Sequence, residues 1–362
     1  MRVAIGISGP ASGGTRAWDE TVEFVLEAER LGVASAWSAE AWGRDAVSPL
    51  AFLAARTTRL RLGAGILQIS ARVPAMTAMT ALTLAEITGG RFLLGLGASG
   101  PQVVEGLHGV PFAGAVGRLR ETLEIVRLGL RGERMAYRGR HFELPRPGGE
   151  GKALRLAVPP APVPIYLAAL APASLALTGE LADGWLGTSF VPEHAEAALQ
   201  HLRAGAERAG RSLAELDLQA GGDVAFSDDL DALVRARKPR LAFTLGAMGS
   251  ASHNFYNDAF RRAGFADDAR AVQELWLAGR REQATARVPD AMVVGTNLLG
   301  PEAEVRRRVR AYRAAGITTL RVSPEGRTLA ERVATLGRLM DLVGLDTPQK
   351  SGAGTARLAP KS

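Results

Sequence analysis

The feature that most constrains this chain is a regular alternation of short apolar runs with longer amphipathic segments. The short runs are rich in β-branched and aliphatic residues, and glycine or proline stands at most junctions. Apolar residues recur at helical spacing between the runs, which predicts helices there. Eight runs are predicted as strands, at residues 3–7, 33–37, 60–66, 91–96, 165–168, 184–188, 216–224 and 318–322.

This alternation predicts an α/β protein with a closed (β/α)8 TIM barrel, and an open doubly wound sheet is the alternative. Helical crossovers make consecutive strands parallel, and closure removes both edges of the sheet. Two insertions interrupt the pattern, a Pro- and Gly-rich excursion with a predicted hairpin at about 134–163 and a helical segment at about 246–288. Insertions often decorate the ligand face of a barrel. We expect one domain over 1–345 and a disordered tail over 346–362.

Composition excludes several kinds of site. The 362 residues contain no cysteine, so disulfides, thiolate zinc sites and iron–sulfur clusters are excluded. The five histidines lack the spacing of a helical metal pair, and no serine-hydrolase elbow or Walker lysine occurs. The formal charge is +7, but the densest arginine cluster, at 306–313, lacks stacking aromatics and is predicted to be a solvated helix face. We therefore expect neither a metal nor a nucleic-acid partner.

A glycine-rich segment follows the fourth predicted strand. Its sequence, GLGASG at 95–100, matches the G-x-G-x-x-G pattern of a dinucleotide-binding turn. That turn needs a helix directly after the third glycine, and the sequence predicts the next helix more than a dozen residues further on. The other interpretations are a turn that needs glycine geometry, or a loop whose backbone N–H groups hold a phosphate. The phosphate loop is favoured.

Four segments occur in an order that resembles a known family. They are SAWSAEAWGRD at 35–45, RLGAGILQISARVP at 61–74, GGRFLLGLGASGPQ at 89–102, and PIYLAAL with ELADGW at 164–170 and 180–185. Together they resemble the bacterial-luciferase-like monooxygenase superfamily, in its branch of coenzyme F420-dependent oxidoreductases. The resemblance implies hydride transfer between C5 of F420 and a small organic substrate. An FMN-dependent monooxygenase and a non-catalytic flavin-binding or deazaflavin-binding barrel are the alternatives.

The resemblance also implies which residues hold the cofactor. In similar proteins a non-proline cis peptide backs the deazaflavin ring, and the matching bond here is Gly65-Ile66. Packing of small residues at the barrel rim is the alternative explanation for these positions. The implied cofactor contacts are Glu40, Gly65, Ile66, Gly97, Ala98, Ser99, Gly100, Gln102, Ala168, Ala169 and Leu170.

Catalytic candidates follow from the same resemblance. Similar proteins often carry an acidic residue or histidine after the second strand and a glutamate after the fourth. Glu40 matches the first place, whereas Ser99 or Gly100 stands in the second, so Glu40 is predicted as the main proton-exchanging group. Ser99 and His253 are the other candidates, and a surface carboxylate paired with Arg44 is the alternative for Glu40.

The remaining expectations concern location and partners. The N-terminus has no basic region followed by a long apolar run, and no apolar stretch reaches the roughly 18 residues of a membrane span. We therefore expect a cytoplasmic homodimer with a small-molecule substrate and no membrane partner.

Overall fold

Eight parallel strands form a closed ring at the centre of the molecule. The structure, a computed structural model, describes residues 1–7, 15–250 and 253–345. The ring closes because the first strand pairs with both the second and the last strand. The barrel strands are β1 Arg2–Gly6, β2 Ser35–Ser38, β3 Arg61–Ala64, β4 Phe92–Gly97, β5 Ile165–Leu167, β6 Gly184–Leu186, β7 Asp217–Ala220 and β8 Thr319–Pro324. The predicted TIM barrel is confirmed, and the open sheet is wrong. The tail predicted to be disordered lies outside the described residues.

Helices pack on the outside of the barrel and extend beyond it. Two of them have the predicted ends, and the one at Pro74–Ile87 begins with proline in its first turn and stops before Gly89 and Gly90, which have positive φ. The helices are α1 Thr15–Arg30, α2 Val47–Ala54, α3 Pro74–Ile87, α4 Pro101–Val104, α5 Ala115–Leu130, α6 Pro172–Leu181, α7 Glu196–Arg208, α8 Leu230–Ala247, α9 Phe255–Phe260, α10 Ala266–Leu277, α11 Arg281–Arg287, α12 Asp290–Gly295, α13 Glu302–Ala314 and α14 Leu329–Leu345. Within the described residues, none is long and apolar enough to cross a membrane.

The two insertions differ in how closely they follow prediction. The first contains a small hairpin, in which Tyr137–Arg138 pairs with Glu143–Leu144. The second is the middle of a longer helical segment that runs from α8 to α12. The seventh predicted strand is split, because the chain leaves β7 and forms a second strand at Asp223–Phe226, which pairs with an unpredicted strand at Leu298–Gly300. Gly221 permits this break, since a Cβ there would lie 2.2 Å from the carbonyl oxygen of Arg321.

Large side chains fill the interior of the barrel below its carboxyl end. Trp37 and Tyr166 meet edge to face with ring centroids 5.1 Å apart, and Leu93 and Leu186 pack with them. Gly63 makes room for the indole, because a Cβ there would lie 2.3 Å from a ring carbon of Trp37. The lower barrel is therefore a packed core, as in other barrels of this kind.

A buried carboxylate ties β7 to its neighbours. Asp217 accepts hydrogen bonds from Thr318, Thr319 and Gln219, and it also accepts one from the Tyr166 hydroxyl at 3.0 Å. Burial raises the pKa of Asp217, but the side-chain hydrogen bonds and the nearby Arg2 outweigh it and leave the pKa below its ordinary value. The ionised carboxylate therefore stabilises the barrel.

The arginine cluster on α13 is not wholly solvated, contrary to prediction. The Arg308 side chain is only 2% exposed, and it donates to the carboxylate of Glu193 and to the carbonyl oxygen of Gly295 at 2.5 Å. The helix packs this arginine against the end of α12, where an unpaired carbonyl needs a donor. An arginine at a helical spacing from Val305 and Tyr312 can thus belong to the buried face.

Candidate active site

A cavity of about 630 Å³ opens at the carboxyl ends of the barrel strands. This is the end at which TIM-barrel enzymes keep their sites, and the volume lies in the range of small-molecule pockets. Every residue predicted to contact the cofactor lines this cavity, from Glu40 through the loops after β3, β4 and β5 to Leu170. In the part of the chain that the structure describes, no group of three potential metal ligands occurs.

A bulge after β3 forms one wall of the cavity. The Gly65-Ile66 peptide is cis, as predicted. Pairing of β3 with β4 stops at this point and resumes at Leu67–Gln68, so the bulge interrupts a continuous ladder. The bulge is fixed to the end of β2, because the Gly65 N–H donates to the Ser38 carbonyl oxygen at 2.7 Å. Gly65 and Ile66 are thereby held toward the cavity.

Small residues around Ile66 set the shape of this wall. A Cβ on Gly97 would lie 2.7 Å from Cδ1 of Ile66 and 3.7 Å from Cβ of Ala168. Gly65 rests on Trp37, since its own Cβ would lie 3.2 Å from the Cβ of the tryptophan. The Ile66 side chain therefore fits in a gap that exists only because residue 97 is glycine. This gives an apolar wall above the packed core of the barrel.

The loop after β4 brings free backbone donors to the cavity. Ser99 has a left-handed backbone with φ of 59°, which is uncommon for a residue with a side chain. Among the described residues, the N–H groups of Ser99 and Gly100 have no acceptor. Helix α4 begins directly after Gly100, so the expected distance to the next helix is wrong. This helix is a single turn on a barrel loop, and the closed parallel barrel itself excludes the open-sheet dinucleotide fold.

Glu40 is held in place by the end of β2 and the bulge. Its side chain is 6% exposed and pairs with Arg72 at 2.6 Å, and it also accepts from the N–H groups of Ala46 at 3.2 Å and Gln68 at 3.3 Å. The Glu40 N–H donates to the carbonyl oxygen of Ile66 at 3.3 Å. The alternative of a surface carboxylate paired with Arg44 is therefore wrong. A carboxylate has about four acceptor sites, so about one of them is left for a ligand.

The loop after β5 is fixed from two sides. The Trp185 indole N–H donates to the carbonyl oxygen of Ala169 at 3.0 Å, and Arg262 of the helical insertion donates to that of Leu170 at 2.7 Å. Carbonyl groups of this loop are thus used internally, and its side chains face the cavity. The insertion therefore helps to hold the loop that carries the predicted contacts Ala168 to Leu170.

The opposite wall contains residues that the sequence analysis did not select as cofactor contacts. Arg321 on β8 lines the cavity and donates to the carbonyl oxygen of Gly187 at 2.9 Å. Tyr256 on α9 lies beside it, whereas His253, a predicted catalytic residue, is exposed and does not line the cavity. Burial lowers the pKa of Arg321 to about 10, although Tyr256 partly opposes the change. Burial also raises the pKa of Tyr256, so its phenol keeps its proton near neutral pH.

The strand pattern could have indicated Arg321. Its neighbours Leu320 and Val322 are buried in the core between the barrel and its helices. Because side chains alternate along a strand, the residue between them points into the barrel. A charged residue at an inward position of a barrel strand indicates a functional site, so the sequence could have predicted Arg321 as a cavity residue.

Comparisons with known proteins agree with the geometry. A family model described as luciferase-like monooxygenase matches residues 2–319. A Mycobacterium tuberculosis protein named as a coenzyme F420-dependent oxidoreductase is 38% identical over 327 residues, which cover 88% of this chain and 93% of that protein. The 5,10-methylenetetrahydromethanopterin reductase of Archaeoglobus fulgidus is 28% identical over 322 residues, with coverages of 87% and 92%.

A solved structure extends the agreement to the fold. The coenzyme F420-dependent tetrahydromethanopterin reductase from Methanopyrus kandleri has a TM-score of 0.75 and 23% identity, and the match covers 93% of this chain and 97% of that one. The family model spans most of the barrel, so the resemblance inferred from four short segments is confirmed. The chain belongs to the luciferase-like monooxygenase family.

Proposed function

We propose that this protein is an F420-dependent oxidoreductase that acts on a small organic substrate. The oxidoreductase class predicted from the sequence agrees with the names of its relatives. The observation that carries the proposal is the cavity itself, because it collects every predicted cofactor contact at the catalytic end of the barrel. Bound there, F420 would supply the hydride-carrying carbon C5.

The residues of the cavity fit a planar ring with an anionic tail. Gly65 and Ile66 offer an apolar surface without a projecting polar side chain, which suits the face of a ring. The free N–H groups of Ser99 and Gly100 suit phosphate oxygens, because backbone donors need no counter-charge of their own. The chain therefore binds the ring and tail with different loops, and it can orient the ring while excluding water from its face.

We assign proton exchange with the substrate to Glu40. Its carboxylate is fixed by the Arg72 guanidinium and two backbone N–H groups, and it lines the cavity beside the bulge. With the cofactor bound in this cavity, a carboxylate fixed in this way could accept or return a proton without losing its position. Ser99 lines the same cavity and would orient a polar group of the substrate or cofactor.

Binding titrations test the cofactor assignment. The purified protein is titrated with F420 and separately with FMN, and quenching of each chromophore's fluorescence gives its Kd. We expect tighter binding of F420, and equal or reversed affinities would overturn the assignment in favour of an FMN enzyme. Turnover of reduced or oxidised F420 with a panel of small carbonyl and alcohol compounds then separates an enzyme from a binder that lacks activity.

We also propose that the protein forms a homodimer. Several large apolar side chains on the outer face of α2 and α3 are exposed, among them Phe52, Met76 and Met79. Exposed apolar side chains on two helices that contact each other are typical of protein interfaces. Light scattering after size exclusion measures the mass directly. We expect a dimer for the natural protein and a monomer for Met79→Glu, while a monomeric natural protein would contradict the proposal.

A further inference from the structure

The cavity has two walls that come from different halves of the barrel. The predicted cofactor contacts follow β2, β3, β4 and β5, whereas Arg321 lies on β8 and donates to the residue after β6. Because β6 to β8 complete the ring opposite β3 and β4, Arg321 and Tyr256 face the proposed ring site across the open space. A substrate must occupy that space to reach a ring on the first wall.

The second wall carries donors without acceptors. Within the described residues, Arg321 has no carboxylate in ion-pair range, and its hydrogen bond is to the carbonyl oxygen of Gly187. The Tyr256 hydroxyl has no hydrogen-bond partner in the same part of the chain, and its ring is partly buried. Glu40, the carboxylate that lines the same cavity, forms its ion pair with Arg72. The cavity therefore presents an uncompensated positive charge and a phenol side by side.

Arg321 is partly buried at the cavity wall, and the hydration that its guanidinium loses there is not repaid by a carboxylate among the described residues. The missing counter-ion is explained if a ligand supplies the negative charge. We propose that Arg321 and Tyr256 form a substrate subsite for a carboxylate, so that the natural substrates are small organic acids.

The chemistry of the two groups favours this ligand class. A guanidinium offers a planar fork of N–H donors that matches the two oxygens of a carboxylate, and the neutral phenol can donate one more hydrogen bond. This inference rests on the proposed function in one respect, which is that the ring of F420 binds the first wall. The phosphate of the cofactor tail is the other source of anionic oxygen, and the experiment separates the two.

Isothermal titration calorimetry tests the subsite with defined probes. Sodium benzoate, the neutral isostere benzamide and inorganic phosphate are each titrated into the protein, with and without saturating F420. The variants are Arg321→Met, which keeps the length of the side chain, Arg321→Lys, which keeps the charge, and Tyr256→Phe, which keeps the ring. We expect benzoate to bind the natural protein more tightly than benzamide. Its Kd should rise about 10- to 100-fold in Arg321→Met and a few-fold in Tyr256→Phe, as for loss of charged and neutral hydrogen bonds.

The outcomes distinguish this proposal from the proposed function. Benzoate affinity that is unchanged in Arg321→Met, with a melting temperature close to that of the natural protein, would overturn the subsite. So would equal binding of benzoate and benzamide, or tighter binding of phosphate. A large loss of F420 affinity in Arg321→Met would assign the arginine to the cofactor instead. If F420 fails to bind but benzoate binding depends on Arg321, the subsite stands and the cofactor assignment fails.

Discussion

Gly97→Ala tests whether the wall around Ile66 is the ring site. The new Cβ would lie 2.7 Å from Cδ1 of Ile66, while carbon atoms pack at about 3.5–4.0 Å, so the isoleucine end must move by about 1 Å. The backbone of Gly97 is not in the left-handed region, so alanine fits it without backbone strain. Overpacking costs about 1–3 kcal/mol, and replacing glycine in the unfolded chain offsets about 0.4–1 kcal/mol of it.

The net loss of stability is therefore between about 0 and 2.6 kcal/mol, and the melting temperature should fall by only a few degrees. The effect on F420 affinity should be larger than the effect on stability, because the displaced Ile66 side chain enters the space proposed for the ring. We expect the F420 Kd to rise about 10-fold, which corresponds to about 1.4 kcal/mol. Gly151→Ala is the matched control, because nothing lies within 4 Å of its Cβ and it is remote from the cavity.

A second substitution makes this prediction sharper. Ile66→Val removes Cδ1, the atom that the new methyl group would meet. In the double variant Gly97→Ala with Ile66→Val, affinity should recover toward that of Ile66→Val alone, which a double-mutant cycle measures as a coupling energy. Unchanged F420 affinity in Gly97→Ala, or strictly additive effects in the cycle, would refute the placement of the ring against Ile66.

Three further predictions address the catalytic carboxylate and the fold. Glu40→Gln should leave the F420 Kd within a few-fold and lower turnover by about 10²–10⁴, whereas a comparable loss of F420 affinity would show that Glu40 only positions the loop. Asp217→Asn should lower the melting temperature at neutral pH, and the difference from the natural protein should shrink as the pH falls below about 4. The sign follows because the pKa of Asp217 is lowered in the fold, so its stabilisation is present above the unfolded value and is lost on acidification. Arg308→Met should lower the free energy of unfolding, measured in urea, by about 1–3 kcal/mol, because the Gly295 carbonyl loses its donor. F420 binding should not change, and an unaffected urea midpoint would contradict the structural role of Arg308.

Elements with strong local signals were predictable, and those that depend on long-range pairing were not. Helix α3 has proline at its start and two glycines after its end, so its bounds could be read from the chain. The run at 216–224 has the composition of one strand, yet Gly221 breaks it because β7 must come close to β8. The new partner at Leu298–Gly300 is about 75 residues away in sequence, and only the closed barrel brings it near.

The same reasoning explains which site residues could be found. Close-packed backbone sites such as Gly65 and Gly97 leave a mark in the sequence, because a larger residue there would crowd Trp37 or Ile66. A run of such positions can be matched to a family. Pairing partners leave no such mark: Arg72 and Arg44 are equally plausible neighbours of Glu40 until the bulge after β3 turns one of them inward. Arg321 is an intermediate case. Its position between two buried aliphatic residues predicts that it points into the barrel. The sequence does not show whether it has an ion-pair partner, and the fold shows that no carboxylate among the described residues lies in ion-pair range.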